Sequence, residues 1–379
     1  MTTNSSSSGG GSSKGKTKRK PVKPPNDALL AQQYGGGHVG GWVDRLPASV
    51  IPYVQLARLS PPAGLLLIFF PHFFGILHAA IVLLSSRGSS NGGDDGGDVP
   101  GPAILRACAI TLAGSFFSSN AAHAWNDLVD APMDRQVART RGRPVARGAI
   151  SPLGAFLFAA SQALLAAGVL AACYALPNIL AIIYYPYAKR HTHLAQVVLG
   201  FCLSYGVVMG SCAMGLFPQS IPVMVHVPTV CLMGACLLWT VLYDTVYAHQ
   251  DVEDDRKLGL KSTAVLLGDR SKPALWCVLG AMLALLAVPG RAAGMGPPYY
   301  LFTLGGCLAS LGTMVYRVDL KDPASCWWWF RYGFWLAGGS IAAGLVSEYL
   351  LRAAPGAELC KTWLHLFRKL PPQFSSSRR

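Results

Sequence analysis

The sequence predicts an all-α, multi-pass membrane protein of about nine transmembrane helices. Three observations predict it. Hydrophobic residues make up 52% of the 379 and charged residues only 13%, against about 25% charged in a soluble domain. Nine runs are apolar enough to cross a hydrocarbon core, which takes about 20 residues each. The Lys and Arg of the loops fall on one side of those runs, as the positive-inside rule expects. A mean hydropathy of +0.36 excludes a disordered chain, which lacks this much apolar surface. An ordinary soluble enzyme could not keep so many apolar residues from water.

Residues 1–48 are a Ser/Gly/Lys-rich tail. They lack the apolar stretch of a cleaved signal peptide and the Arg-rich amphipathic pattern of a mitochondrial one. The endoplasmic reticulum or Golgi is therefore the favoured membrane, with the mitochondrial inner membrane second. The lysines at 14–23 read as a solvated arm beside anionic lipid, so no nucleic-acid partner is expected. The membrane domain covers 49–352, with runs at 62–86, 102–125, 152–175, 177–188, 194–217, 223–248, 273–290, 298–316 and 330–351. Backbone polar groups in lipid must be satisfied within the segment, so each run reads as a helix. The fourth is short and carries Pro186, which reads as a break or tilt. Loops after the even-numbered runs hold fifteen Lys and Arg, from Arg135 to Arg331; the opposite loops hold Arg87, Arg106 and Arg291. The connector 88–98 is flexible and acidic. Residues 353–379 are a basic amphipathic tail, and 361–370 read as lying flat on a membrane surface. The ten Cys sit mostly in apolar runs without zinc or redox spacing, so they read as packing residues.

The chain holds only 18 acids, and eight fall in two short stretches. The first is Asn126-Asp127-Leu-Val-Asp130-Ala-Pro-Met-Asp134. On a helix all four oxygen-bearing side chains share an arc of about 100°, with a bend expected at Pro132. The second holds Asp244, Asp251, Glu253, Asp254 and Asp255. Asp251 and Asp255 are one turn apart, and Asp244 lies within about 20° of Asp251 on a continuous helix. Carboxylates grouped this way repel one another and resist burial. A hard divalent cation would neutralise them; Mg²⁺ is held by one or two carboxylates plus substrate phosphates. Arg139, Arg141 and Arg143 follow the first cluster, and Lys257 and Lys261 the second. Acids for metal beside bases for phosphate describe a Mg²⁺–diphosphate site. The bland alternative is solvated loop ends with internal ion pairs.

At these residues the chain resembles the UbiA family of membrane-embedded prenyltransferases. The family's NDxxDxxxD matches Asn126, Asp127, Asp130 and Asp134, and its RTxxRPxxxG resembles 138–148. Its YDTxYAxxDxxDD matches Tyr243 to Asp255, followed by GLKSTA at 259–264. Tyr185-Pro186 to Arg190 and 192–200 resemble the polyprenyl–hydroxybenzoate branch, and 58–64 resemble RLxKPxG, with Ser60, Pro61 and Ala195 departing from the common residues.

The resemblance implies nine helices around a central cavity open to lipid. Mg²⁺ is the implied cofactor. A prenyl diphosphate, farnesyl-sized, and a phenolic, polyketide-derived acceptor of the fungal meroterpenoid type are the implied substrates. Ubiquinone-type 4-hydroxybenzoate polyprenyl transfer is the alternative. Asn126, Asp130, Asp134, Asp251 and Asp255 would hold metal; Arg139, Arg143, Lys189 and Lys261 the diphosphate; Arg58 and Arg190 the acceptor. Asp127, Asp244 and Asp251 are the catalytic candidates. No obligatory protein partner is implied. An ion-coupled transporter is the rival class, but transporters scatter acids mid-span, whereas these lie at span ends beside bases. His123 reads as a packing or hydrogen-bonding side chain, and His249 as pointing away from Asp251. Trp327 to Trp329 read as an interfacial belt, and the Phe69–Phe74 run as tunnel lining or lipid-facing packing.

Overall fold

A computed structural model of the chain describes residues 41–60, 62–87, 101–137, 139–169, 172–216 and 226–353. The tail up to residue 40, the connector 88–98 and the segment 361–370 lie outside these. Residues 41–48, expected in the tail, carry a 3-10 turn at Val43–Arg45, and Val43 is buried.

The helices are α1 (Ile51–Leu56), α2 (Ala63–Arg87), α3 (Gly101–Asp134), α4 (Pro152–Val169), α5 (Ala172–His191), α6 (Ala195–Ser204), α7 (Gly206–Ala213), α8 (Val227–Ala248), α9 (Val252–Leu258), α10 (Thr263–Leu267), α11 (Ser271–Ala292), α12 (Gly306–Arg317) and α13 (Pro323–Ala353). Among the described residues, seven spans are long and apolar enough to cross a membrane: 63–85, 101–134, 152–169, 195–213, 227–258, 263–292 and 323–353. The other two of the nine expected runs are helical as well but fall outside this measure. The run at 177–188 is helical within α5, but that helix contains Pro177 and Pro186 and ends on Lys189, Arg190 and His191. The run at 298–316 is divided by a π-helical stretch, Tyr300–Gly305, before α12.

The core lies where α2, α8 and α13 meet. Trp239 and Tyr243 of α8 are almost fully buried. Phe70 and Phe74 of α2 approach Trp239 with ring centroids at 6.2 and 6.1 Å, and Tyr243 meets Phe330 of α13 at 5.8 Å. Such pairs add about 0.5–1.5 kcal/mol each beyond area burial. Phe70 and Phe74 therefore neither line a tunnel nor face lipid; they build this core. The three tryptophans divide in the same way. Trp327 packs against Tyr247 and Phe330, while Trp328 is half exposed.

Helices α2 and α7 touch backbone to backbone. A Cβ on Gly210 would sit 2.1 Å from the His72 carbonyl oxygen, and one on Gly75 would sit 2.1 Å from that of Val207. The Ser211 hydroxyl donates to the Gly75 carbonyl at 3.2 Å. Small residues spaced by four, Gly206 and Gly210, permit this approach where lipid offers no hydrophobic drive. Gly210→Leu should force α2 and α7 apart. Fluorescence-detected size-exclusion chromatography of the detergent-extracted protein should show loss of the monodisperse peak.

Candidate active site

Both acid clusters sit where helices end. Helix α3 runs two residues past Pro132 and stops at Asp134, so the expected bend becomes the helix terminus. Helix α8 stops at Ala248. A 3-10 turn, His249–Asp251, then leads into α9. The second acid stripe is thus not carried by one continuous helix, and the angular estimate for Asp244 and Asp251 does not apply across the turn. Asp244, Asp251 and Asp255 nevertheless face one polar cavity. Gly259, at φ +68°, closes α9 in the left-handed conformation that suits glycine. The chain then doubles back, and the Lys261 amide donates to the Lys189 carbonyl at 2.8 Å. That bond holds the two lysine-bearing segments together. Ser262 caps α10, accepting from the Val265 amide at 3.2 Å.

The acids are paired with the bases expected to serve the diphosphate. Arg143 donates to both carboxylate oxygens of Asp134, at 3.1 and 2.8 Å, and lies 3.3 Å from Asp127. Burial opposes charge on the Arg143 guanidinium, but Asp134 and Asp127 outweigh it and raise its pKa above the ordinary arginine value. Arg58 donates to Asp127 at 2.7 Å. It is the non-glycine residue with positive φ, +52°, among those described. A left-handed non-glycine residue costs roughly 1–3 kcal/mol and marks functional positions; here the conformation aims the guanidinium at Asp127. Arg139 forks onto Asp251 through Nε and Nη2 and donates from Nη1 to the Tyr247 hydroxyl at 2.8 Å. Lys189 reaches Asp130 at 3.5 Å and lies over the Tyr185 ring.

Two cavities meet at this array. The larger, about 530 Å³, is lined mainly by α2, α3, α4 and α5; the smaller, about 100 Å³, lies among the acids and lysines. Arg139, Arg143, Tyr185, Lys189, Asp244 and Tyr247 line both. An apolar chamber therefore opens directly onto a charged one. Asp130, Asp134, Lys261 and Asp255 line only the charged cavity, while Arg58 and Asn126 line only the apolar one. Asp127 lines neither. Arg190 also lines neither: it donates to the Val129 carbonyl at 3.0 Å and lies over the Tyr187 ring. His249 points away from Asp251, bonding the Thr245 carbonyl and Ser271. His123 lies 3.3 Å from the Ser119 hydroxyl and also lines the apolar cavity. Gln196, within the 192–200 stretch that resembles the family, lines the charged cavity and accepts from the Thr263 amide at 3.0 Å; Asn178 in the apolar one belongs to no motif.

The fit to a divalent cation rests on three buried oxygens without a hydrogen-bond partner: Asn126 Oδ1, Asp127 Oδ2 and Asp130 Oδ1. Buried acceptors of this kind are costly unless something satisfies them. Among the described residues, no three His, Cys, Asp or Glu side chains converge to hold a metal unaided. The five expected ligands thus do not form one cluster. Asn126 and Asp130 each offer an oxygen, while Arg143 and Arg139 engage Asp134 and Asp251. The donor set fits an ion whose remaining ligands come from a bound diphosphate.

The UbiA prenyltransferase family model matches residues 97–338. The chain belongs to this family. It is 33% identical over 318 residues to the UbiA prenyltransferase claS of Ampulloclitocybe clavipes, covering 81% of this chain and 93% of that one. It is 32% identical over 341 residues to the mitochondrial 4-hydroxybenzoate polyprenyltransferase of Saccharomyces cerevisiae, covering 88% and 85%. A UbiA homologue from Aeropyrum pernix shares the fold, with a TM-score of 0.59 at 21% identity, covering 74% of this chain and 98% of that one. The protein is an integral-membrane prenyltransferase.

Proposed function

We propose that the chain transfers a farnesyl group from its diphosphate to a phenolic, polyketide-derived acid, with Mg²⁺ as cofactor. The observation that carries this reading is the junction of an apolar and a charged chamber at six shared residues. A molecule that uses both chambers has a long hydrocarbon tail and an anionic head. Lys189 and Ala175 of α5 both line the apolar cavity. They stand about 21 Å apart at roughly 1.5 Å per residue. Each isoprene unit adds four chain bonds, or about 5 Å at roughly 1.5 Å per C–C bond. Three units fill most of that length.

Arg139, Arg143, Lys189 and Lys261 take the diphosphate; Asn126 and Asp130 would hold the ion, and Asp244 and Asp255 line the charged cavity with Asp130. When bound, Mg²⁺ neutralises the diphosphate and stabilises charge on the departing oxygen. The basic residues lower the cost of breaking the allylic C–O bond, whose electron pair leaves with the diphosphate. A ring carbon activated by a hydroxyl then attacks the allylic carbon, and the ring loses a proton to recover aromaticity. The apolar walls exclude water from the electrophile. Arg58, rather than Arg190, takes the acceptor's carboxylate in this reading, which is supported by Arg58 lining the chamber while Arg190 does not.

Microsomes carrying the protein, given farnesyl diphosphate, Mg²⁺ and a panel of phenolic acids, should form a C-prenylated acid. EDTA should abolish it. No product from folded protein with any donor or acceptor would sink the reading. A second reading, polyprenyl transfer to 4-hydroxybenzoate, is favoured by the likeness to the yeast protein; preference for donors of six or more isoprene units would establish it. We place the protein in the endoplasmic reticulum or Golgi, on the Lys-rich composition of residues 1–40. Co-fractionation with mitochondrial inner membrane would overturn that.

A further inference from the structure

The end of the bundle remote from the acids carries two histidines that the reaction does not use. Helix α2 starts just after Arg58, which reaches Asp127, and α8 ends just before Asp251. His78, late in α2, and His226, immediately before α8, therefore both belong to the far end. His78 is fully buried, and neither of its ring nitrogens has a hydrogen-bond partner. A neutral imidazole carries one N–H and one lone pair, and inside a membrane domain each is costly to leave unmet. The other buried histidines avoid this cost by bonding the carbonyl one turn back: His72 Nδ1 lies 2.9 Å from the Ile68 oxygen, and His249 Nδ1 lies 2.8 Å from that of Thr245. His78 does not. Instead its ring faces His226, with centroids 6.0 Å apart and planes at 67°. His226 is half-buried, and its Nδ1 lies 2.6 Å from the Thr229 hydroxyl.

We propose that His78 and His226 bind Zn²⁺ or a like transition-metal ion, and that the bound ion ties α2 to the start of α8 at the end of the bundle opposite the charged chamber. The spacing suits two ligands on one ion. Imidazole nitrogen binds Zn²⁺ at about 2.0–2.1 Å and lies about 1.1 Å from its ring centre, so the ion stands about 3.2 Å from each centroid. The two centroids are then about 5.2 Å apart at a tetrahedral angle and about 6.4 Å apart when the rings are opposed; the observed 6.0 Å lies between. With Nδ1 of His226 on the Thr229 hydroxyl, Nε2 is left as the ligating nitrogen, the arrangement by which an outer hydrogen bond orients a ligating histidine. No third His, Cys, Asp or Glu joins the pair among the described residues. Two protein ligands make an open, exchangeable site, with water or other donors completing the shell. Half-buried His226 gives the ion its way in. Imidazole suits Zn²⁺, Cu²⁺ and Ni²⁺, whereas Mg²⁺ takes oxygen, so this site and the acid array select different ions. The inference stands apart from the prenyl-transfer reading.

The test uses the full-length protein in detergent, stripped with a chelator and held in excess Mg²⁺ so that the acids are occupied. Zn²⁺ is titrated against a chromophoric competitor into wild type, His78→Gln, His226→Ala and, as control, His191→Ala, which is exposed on the charged side. Melting is followed with and without Zn²⁺. Wild type and His191→Ala should bind one equivalent that excess Mg²⁺ does not displace, and should melt several degrees higher when it is bound, as a ligand of the folded state requires. His78→Gln and His226→Ala should each weaken that equivalent at least tenfold and lose the shift. His226→Ala, changed at a half-buried position outside the spans, should still elute as a monodisperse species and keep Mg²⁺-dependent prenyl transfer within twofold, so its lost Zn²⁺ is not a lost fold. Equal Zn²⁺ affinity in wild type and both variants, or displacement by Mg²⁺, would overturn the site and leave the two rings as neutral neighbours packed edge to face. Weakening in His78→Gln alone would overturn it as well, since a shared ion needs both rings.

Discussion

Asp130→Ala should abolish prenyl transfer, with kcat/KM falling about a thousandfold or more, while the protein still extracts as a monodisperse species. One carboxylate oxygen of Asp130 meets Lys189 at 3.5 Å, and the other is buried without a partner. The unpartnered oxygen is the one the ion needs. Losing a preorganised electrostatic group at the site of developing charge costs roughly 10²–10³ in rate, and losing the ion's anchor adds to that. The structural cost should be smaller. The Lys189 side chain is 30% exposed and keeps the Tyr185 ring beneath it, so it is not stranded as a buried charge. Asp130→Glu should retain partial activity and need more added Mg²⁺, because it restores the charge but displaces the oxygen. Asp130→Ala within threefold of wild type would remove this residue from the site.

Much of the site was legible because its chemistry is unusual for its surroundings. In a chain with 18 acids, Asp127, Asp130, Asp134, Asp251 and Asp255 stand out by position alone, and burial of carboxylates in a membrane protein demands a reason. Their partners were harder to read. The sequence places Arg139 and Arg143 after the first cluster, but only the fold shows that Arg143 turns back to that cluster while Arg139 crosses to Asp251, 112 residues away. Two of the nine expected runs differ from the other seven for a related reason. Hydropathy sees composition, and it does not see that Tyr300–Gly305 winds as a π-helix or that prolines and a basic end limit α5. Small residues hid best. Ala159, Ala160, Ala163, Ala166 and Ala167 line the cavity on one face of α4, yet in an apolar run they read as ordinary filling. Their recurrence every three or four positions was the available signal.

Arg143→Gln should cost both stability and activity, and a compensating change should return only the first. Arg143 is buried and satisfies both oxygens of buried Asp134. Removing one partner of a buried pair leaves an uncompensated charge and typically costs about 3–5 kcal/mol. Asp127 is less affected, since Arg58 still donates to it at 2.7 Å. The single variant should therefore lose its folded peak at a markedly lower temperature in detergent. In the double variant Asp134→Asn, Arg143→Gln the two amides can hydrogen-bond and no charge is stranded, so most of the thermal resistance should return. Prenyl transfer should stay at least a hundredfold down in both, because neither restores a cation where the two cavities meet. If the single variant is as heat-resistant as wild type, the Arg143–Asp134 pair does not hold this end of the bundle together. If the double variant recovers activity, Arg143 serves the fold alone, and the diphosphate is left to Arg139, Lys189 and Lys261.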